Sequence, residues 1–254
     1  MPTASTEDLC RSLAILPLQE RNRIILDLIE EGRIDFVDFG THRGAGILKG
    51  HAMGGKAGLG LDLSDRKVQA LLTAGTLAYS GNVLEFTVKG RPFRFAVCRH
   101  VLEHMPSRAF FKKVVKKLSE ICSDYIFIEQ PSFDHDDYLA SVGFKISQST
   151  LDYHTCRLSS ADIVSCLLEL GLTRFCLGGQ HLVSTSSSRR IFTLGNDDNR
   201  IWWTEGVDQP KDEVVFKDKL YGNIVLVVAL DQSVDPRKIA LAHGAHEVQF
   251  ESFY

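Results

Sequence analysis

The chain has 254 residues and 44% hydrophobic content, enough for a sizeable core in one large α/β domain or two small ones. Its formal net charge of −3 gives no general attraction to phosphate backbones, so nucleic acid is not the expected partner, although a local basic face stays open. The start, MPTASTEDL, lacks the basic and apolar regions of a secretion signal, and the longest apolar run, 224–230, is too short to cross a bilayer. A cytoplasmic protein with no membrane partner is expected. Six cysteines, at 10, 98, 122, 156, 166 and 176, form no C-x-x-C pair; this argues for reduced thiols packed as small hydrophobes and against structural zinc.

In chain order, residues 5–33 read as two helices, the first opened by Ser5 or Thr6, the second spanning 19–31 with Ile24, Ile25, Leu28 and Ile29 on one apolar face. Packing on the sheet or a lid over a ligand would both use such a face. Strands are predicted near 34–39, 57–62, 76–79, 93–98 and 125–130, alternating with helices near 44–53, 65–74, 107–121, 136–142 and 159–171. That alternation argues for a parallel sheet covered on both sides. Further strands near 173–184 and 222–230 bring the count to seven. Between them, 186–220 is rich in turn residues and long for a hairpin connection, and it carries Trp202 and Trp203 among Arg189, Arg190 and Arg200. The lysines of FKKVVKKL, 111–118, lie opposite Phe110, Phe111, Val114, Val115 and Leu118, the pattern of a solvated surface helix.

The chemistry concentrates in two segments. In IDFVDFGTHRGAG, 34–46, an apolar run ends in Gly40, Gly44 and Gly46, which permit a tight turn and close backbone approach before a helix begins. Asp62 closes the next strand, 22 positions after Gly40, where an acidic side chain can accept hydrogen bonds from ribose hydroxyls. Capping of the helix at 64–65 is the other use for Asp62, but Ser64 is available for that. The second segment, FAVCRHVLEHMPSRAFFKKVVKKL, 95–118, places HVLEH directly after a strand.

With the glycine turn, Asp62 and HVLEH in this order, the chain resembles the class I S-adenosylmethionine-dependent methyltransferases over roughly 34–185 and the strand at 222–230, with YIFIEQPSF, 125–133, similar to the family's fifth strand and following loop. The resemblance implies a Rossmann-like α/β fold, a seven-stranded and mostly parallel sheet with helices on both faces. It implies S-adenosylmethionine as cofactor, held by Asp38, Gly40, His42, Gly44, Asp62, Leu63, Asn82, Val83 and Arg99. Two departures stand out: His42 replaces the middle glycine of the family's first motif, and Asn82 stands where an aspartate commonly reads adenine, a task an amide oxygen can also perform.

His100 and His135 are the candidate bases, since an imidazole near neutral pKa can deprotonate a hydroxyl or amine during methyl transfer. A base is dispensable where in-line placement of the acceptor suffices. Glu103 and His104 read as orienting the loop by hydrogen bonds; His154 either lines the acceptor pocket or fixes its own loop. In the loop 129–137 the acidic residues could bind a divalent ion, but Asp136 and Asp137 suit a helix start, and no metal is expected.

The expected organisation is therefore N-terminal helices at 1–33, a methyltransferase core at 34–185 and 221–231, an insertion at 186–220 that shapes the acceptor site, and a C-terminal tail at 232–254. The expected reaction is methyl transfer to an oxygen or nitrogen of a small or medium-sized molecule. A catalytically silent methyltransferase-like binding module and another Rossmann-type nucleotide enzyme are the alternatives; the latter wants a G-x-G-x-x-G turn, which GTHRGAG does not supply. Acceptor identity and oligomeric state stay open at this point.

Overall fold

A computed structural model describes residues 5–196 and 199–253. The ends of the expected N-terminal and C-terminal segments, 1–4 and 254, and Asp197 and Asp198 within the expected insertion lie outside the described residues. The helices are α1 (Thr6–Ala14), α2 (Leu18–Glu30), α3 (Ala45–Ala52), α4 (Asp65–Thr73), α5 (Arg108–Ile121), α6 (Asp136–Ser141), α7 (Ser160–Glu169) and α8 (Pro236–Ala242). The strands are β1 (Phe36–Phe39), β2 (Gly58–Asp62), β3 (Ala78–Ser80), β4 (Phe93–Arg99), β5 (Cys122–Pro131), β6 (Phe144–Ile146), β7 (Arg174–Thr185), β8 (Ile191–Thr193), β9 (Val215–Ala229) and β10 (Glu247–Phe253).

The main sheet has the order β10-β7-β9-β5-β4-β1-β2-β3, with β1 parallel to both β2 and β4, β2 parallel to β3, and β10 antiparallel to β7. Among the described residues it has eight strands rather than the expected seven. The additional strand comes from 232–254, where the sequence suggests only a tail and the chain forms α8 and β10. A register shift between Val248 and Phe250 interrupts the pairing of β10 with β7, and only Val248 and Phe250 alternate in its sequence, too short a pattern to reveal a strand. A separate ribbon pairs β6 with β8.

The chain divides into two compact units: 1–101 with 113–128 and 228–235, and 102–112 with 129–227 and 236–254. In the first, register sets Phe36 beside Phe95, and their rings stack at 5.0 Å; Phe95 stacks on Tyr125 at 4.8 Å. Room for the Phe36 ring is made by Gly50, Gly55 and Gly58, at each of which a β-carbon would overlap it. The helix α1 is capped as expected by Ser5, whose hydroxyl oxygen accepts from the Asp8 amide at 3.2 Å. The inner face of α2 buries Ile25, Leu28 and Ile29, while its fully buried Arg21 pairs with Asp65 of α4. Asn22 donates to the Ser80 carbonyl at 2.8 Å, adding a bond to the edge strand β3. These anchors make α2 a fixed wall of its unit, and a moving lid would have to break them.

In the second unit, Leu139, Phe144, Ile146, Val183, Ile191, Phe216 and Leu220 form a core cluster around the β6–β8 ribbon. The helix α7 begins with a capping box in which the Ser159 hydroxyl accepts from the Asp162 amide and the Asp162 carboxylate accepts from the Ser159 amide. All six cysteines are buried, and none of them forms a disulfide. Among the described residues no helix is long and apolar enough to cross a membrane.

Candidate cofactor site

The turn after β1 is built from backbone geometry that few residues tolerate. Gly40 and Gly44 have φ of 71° and 82°, and between them His42 adopts a φ of 46° in the left-handed region. A β-carbon on Gly40 would overlap the Val101 side chain, and one on Gly46 would overlap the Asp38 carboxylate. The glycine at 40 therefore makes room for protein as β4 ends; the sequence had suggested room for ligand.

Asp62, 8% exposed, holds this turn to the next one. Its Oδ2 accepts from the His42 amide at 3.0 Å and its Oδ1 from the Ser64 amide at 2.9 Å, with Lys67 Nζ 3.9 Å from Oδ2. Ser64 occupies the N-cap position of α4, yet its hydroxyl makes no cap bond, so the expectation that it relieves Asp62 of local duty is corrected. Each carboxylate oxygen still has a second acceptor site for a hydroxyl. Beside it, Leu63 is 75% exposed, an apolar surface next to a hydroxyl acceptor.

Asn82 follows β3, and its Oδ1 accepts from the Leu84 amide at 3.0 Å while its Nδ2 reaches Glu85 at 3.3 Å. Val83 is buried. Asp38 is 2% exposed, and burial pushes its carboxyl up to about 7, against the opposing pull of the nearby Thr41 hydroxyl, the Arg99 guanidinium and the Ile47 amide. His100 is exposed and, like His42, left-handed, with a φ of 53°. All these residues belong to the first unit. His42 also lines a surface groove of about 400 Å³ with Arg43, Arg66 and Lys67.

His135 belongs to the second unit, at the N-cap position of α6, and burial lowers its pKa despite Asp134, Asp218 and Asp136 nearby. Asp136 starts α6, as its sequence context suggests, and its side chain accepts from Ser149 Oγ at 2.5 Å. It lines a groove of about 300 Å³ that also includes Lys145, Asp152 and Arg157.

HVLEH ends in a short 3₁₀ turn, Leu102–His104, where Glu103 is 1% exposed and His104 exposed. The tie to His154 was not visible from the sequence, since 50 positions separate the two histidines. His104 Nδ1 lies 3.0 Å from the Tyr153 carbonyl and His154 Nδ1 lies 2.7 Å from the Gln148 carbonyl; the two rings are 5.0 Å apart. The Cys156 amide donates to the Glu103 carbonyl at 2.9 Å, and Thr155 Oγ1 donates to the Met105 carbonyl at 2.7 Å. These bonds tie HVLEH to the loop 148–156. Thr41, buried at 3% under Gly60, was also missed, because a threonine inside a glycine turn carries no pattern of its own.

Among the described residues of 186–220, Asp208 and Lys211 are each held by several polar contacts. Asp208 accepts from the Thr204 amide and from Arg200, each at 2.6 Å, and from Asn196 at 3.1 Å. Lys211 donates to the Ser188 and Ile191 carbonyls, both at 2.7 Å, while its ammonium lies 4.4 Å from the Trp203 ring centre. Trp203 Nε1 donates to the Gln209 carbonyl at 3.1 Å. Trp202 stays 47% exposed, with Arg190 5.2 Å from its ring centre.

No protein-family model matches the chain, and no curated protein matches it in sequence. Its fold is similar to solved structures of S-adenosylmethionine-dependent methyltransferases. One from Archaeoglobus fulgidus is 11% identical with a TM-score of 0.53, covering 82% of this chain and 94% of that one. One from Methanosarcina mazei is 12% identical at 0.46, covering 78% and 92%. The magnesium protoporphyrin IX methyltransferase of Synechocystis with bound S-adenosylhomocysteine is 14% identical at 0.42, covering 90% and 89%. At this identity the likeness of the Archaeoglobus protein defines the class of fold, the Rossmann-like α/β fold of these methyltransferases, and the two lower scores add nothing to it.

Proposed function

We propose that the protein binds S-adenosylmethionine and transfers its methyl group to an oxygen or nitrogen of a small or medium-sized acceptor. The observation that carries this reading is Asp62, buried at the end of β2, tying the glycine turn to the start of α4 while keeping acceptor capacity on both oxygens. The residues fit the cofactor: Asp62 offers acceptors for ribose hydroxyls, Leu63 an exposed apolar face for a base, and the Gly40–Gly44 turn a tight backbone bend. When bound, the sulfonium supplies a methyl group already activated for transfer. This chain's own part is to hold the turn in place and orient the ligand, with His100 or His135 as the group that takes a proton when the acceptor has one to lose. Arg99, placed electrostatically against Asp38, balances charge at the base of the turn. The segment 186–220 contributes to acceptor recognition through the exposed Trp202 face with Arg189 and Arg190.

A second reading, the silent binding module, draws support from Asn82, whose amide is engaged in its own turn, and from the left-handed His42. Thermal-shift titration with S-adenosylmethionine, S-adenosylhomocysteine and NAD separates the two. A ligand at about 100 times its Kd adds about 2.7 kcal/mol of stability. Stabilisation by the first two alone is expected; no response to any ligand would leave only the silent module, and a response to NAD alone would point to another nucleotide enzyme.

A further inference from the structure

Glu103, His104 and His154 converge within the second unit, and their available ligand atoms lie within 4.8 Å of one another. The chemistry of the two imidazoles is set by their neighbours. A carbonyl oxygen only accepts, so Nδ1 of His104, facing the Tyr153 carbonyl, and Nδ1 of His154, facing the Gln148 carbonyl, each carry the proton in the neutral ring. That tautomer leaves a lone pair on each Nε2, and a backbone carbonyl on the opposite nitrogen is the outer support usual for a metal-binding histidine. Glu103 adds a carboxylate 1% exposed, with Oε1 3.9 Å from His104 Nε2.

We propose that Glu103, His104 and His154 form a binding site for a first-row divalent transition metal ion. Two imidazole nitrogens and one carboxylate oxygen suit zinc, cobalt, nickel or iron better than magnesium, which favours a shell of oxygens. Three protein ligands leave at least one position open to water or to an oxygen of a bound molecule. Donors around such an ion stand about 3–3.5 Å apart for ligand distances near 2 Å, so the group closes by about 1 Å on binding. His104 supplies that movement and the entry path, because its side chain is 38% exposed whereas Glu103 and His154 are buried. Competing thiol sites are few in the folded chain, since all six cysteines are buried.

The proposal stands apart from methyl transfer and is tested without the cofactor. The purified chain, stripped with a chelator, is titrated with Co²⁺ followed by its visible absorption, and with Zn²⁺ and Mg²⁺ by equilibrium dialysis. One Co²⁺ or Zn²⁺ per chain is expected, in preference to Mg²⁺, with affinity falling at least tenfold in His104→Ala and in Glu103→Gln. Melting of the metal-free variants checks their folding; should the buried Glu103→Gln fail that check, the exposed His104→Ala decides. Absence of binding, preference for Mg²⁺, or affinity in a folded His104→Ala within twofold of the parent would each overturn the assignment.

Discussion

Asp62 carries two loads at once, a structural one to the His42 and Ser64 amides and, in the proposed function, a ligand one to ribose hydroxyls. Removing its carboxylate strands two backbone donors, so Asp62→Ala should lose about 1–3 kcal/mol of stability as well as at least tenfold in S-adenosylmethionine affinity. The ligand share is isolated by titration calorimetry of parent and variant with S-adenosylmethionine and with a 2′-deoxy analogue: the variant and the analogue should not add, and strict additivity would remove Asp62 from the ribose. Asp38 makes a second case in which a single carboxyl sets a measurable property. Its folded pKa, about 7, lies above the ordinary 3.8, so the folded chain holds the proton more tightly than the unfolded one. The resulting stability is complete below the unfolded value and is lost as pH rises through about 7, by up to about 4 kcal/mol between these limits. Asp38→Asn should flatten urea-denaturation midpoints between pH 5 and 8 and be more stable than the parent at pH 8; an unchanged slope would mean that Asp38 titrates normally.

The turn between β1 and α3 is an element whose shape depends on a few backbone angles. Gly40 has a φ of 71° and sits against Val101, so Gly40→Val meets both backbone strain and steric overlap within the protein, each costing on the order of 1–3 kcal/mol. Loss of cofactor binding together with a lower melting temperature is expected; normal binding in a folded variant would move the ligand away from this turn. The tolerance of the neighbouring His42 for a left-handed φ shows why counting glycines in a motif is a poor guide to its backbone: Asp62 holds that turn through the His42 amide. In the insertion, the tryptophans divide. Trp203 is tied to Gln209 and covered by Lys211, the packing use of an aromatic, whereas Trp202 keeps an exposed face beside two guanidinium groups. Only the second is available for the acceptor role.

At the scale of the whole molecule, every cofactor residue expected from the sequence falls in one compact unit, while His135 and the insertion fall in the other. Ligand binding should therefore register unevenly along the chain. Hydrogen exchange with and without S-adenosylhomocysteine is expected to show new protection in 36–44, 58–64 and 78–86, within the first unit, and little in 186–220. Protection confined to 186–220 would exchange the proposed roles of the two regions.

Apolar runs bounded by glycines, caps or charged residues were enough to read the alternation of strands and helices from 36 to 142, whereas β6 and β8, three residues each, are too short to state a period and were not foreseen. The residues 34–46, Asp62 and HVLEH likewise announced a methyltransferase-like fold, since turn glycines and strand-end acids are local requirements written in consecutive positions. What only the tertiary structure decided involves partners far apart in the chain. β10 is recruited by backbone pairing with β7 and needs no clean pattern of its own. Gly40 answers to Val101, Asp62 to two turns, and Arg21 to Asp65. Glu103 and His104 meet His154 only because the folded loops bring them there. Side-chain contacts of this kind depend on where the chain returns in space, and residue order alone does not encode that distance locally.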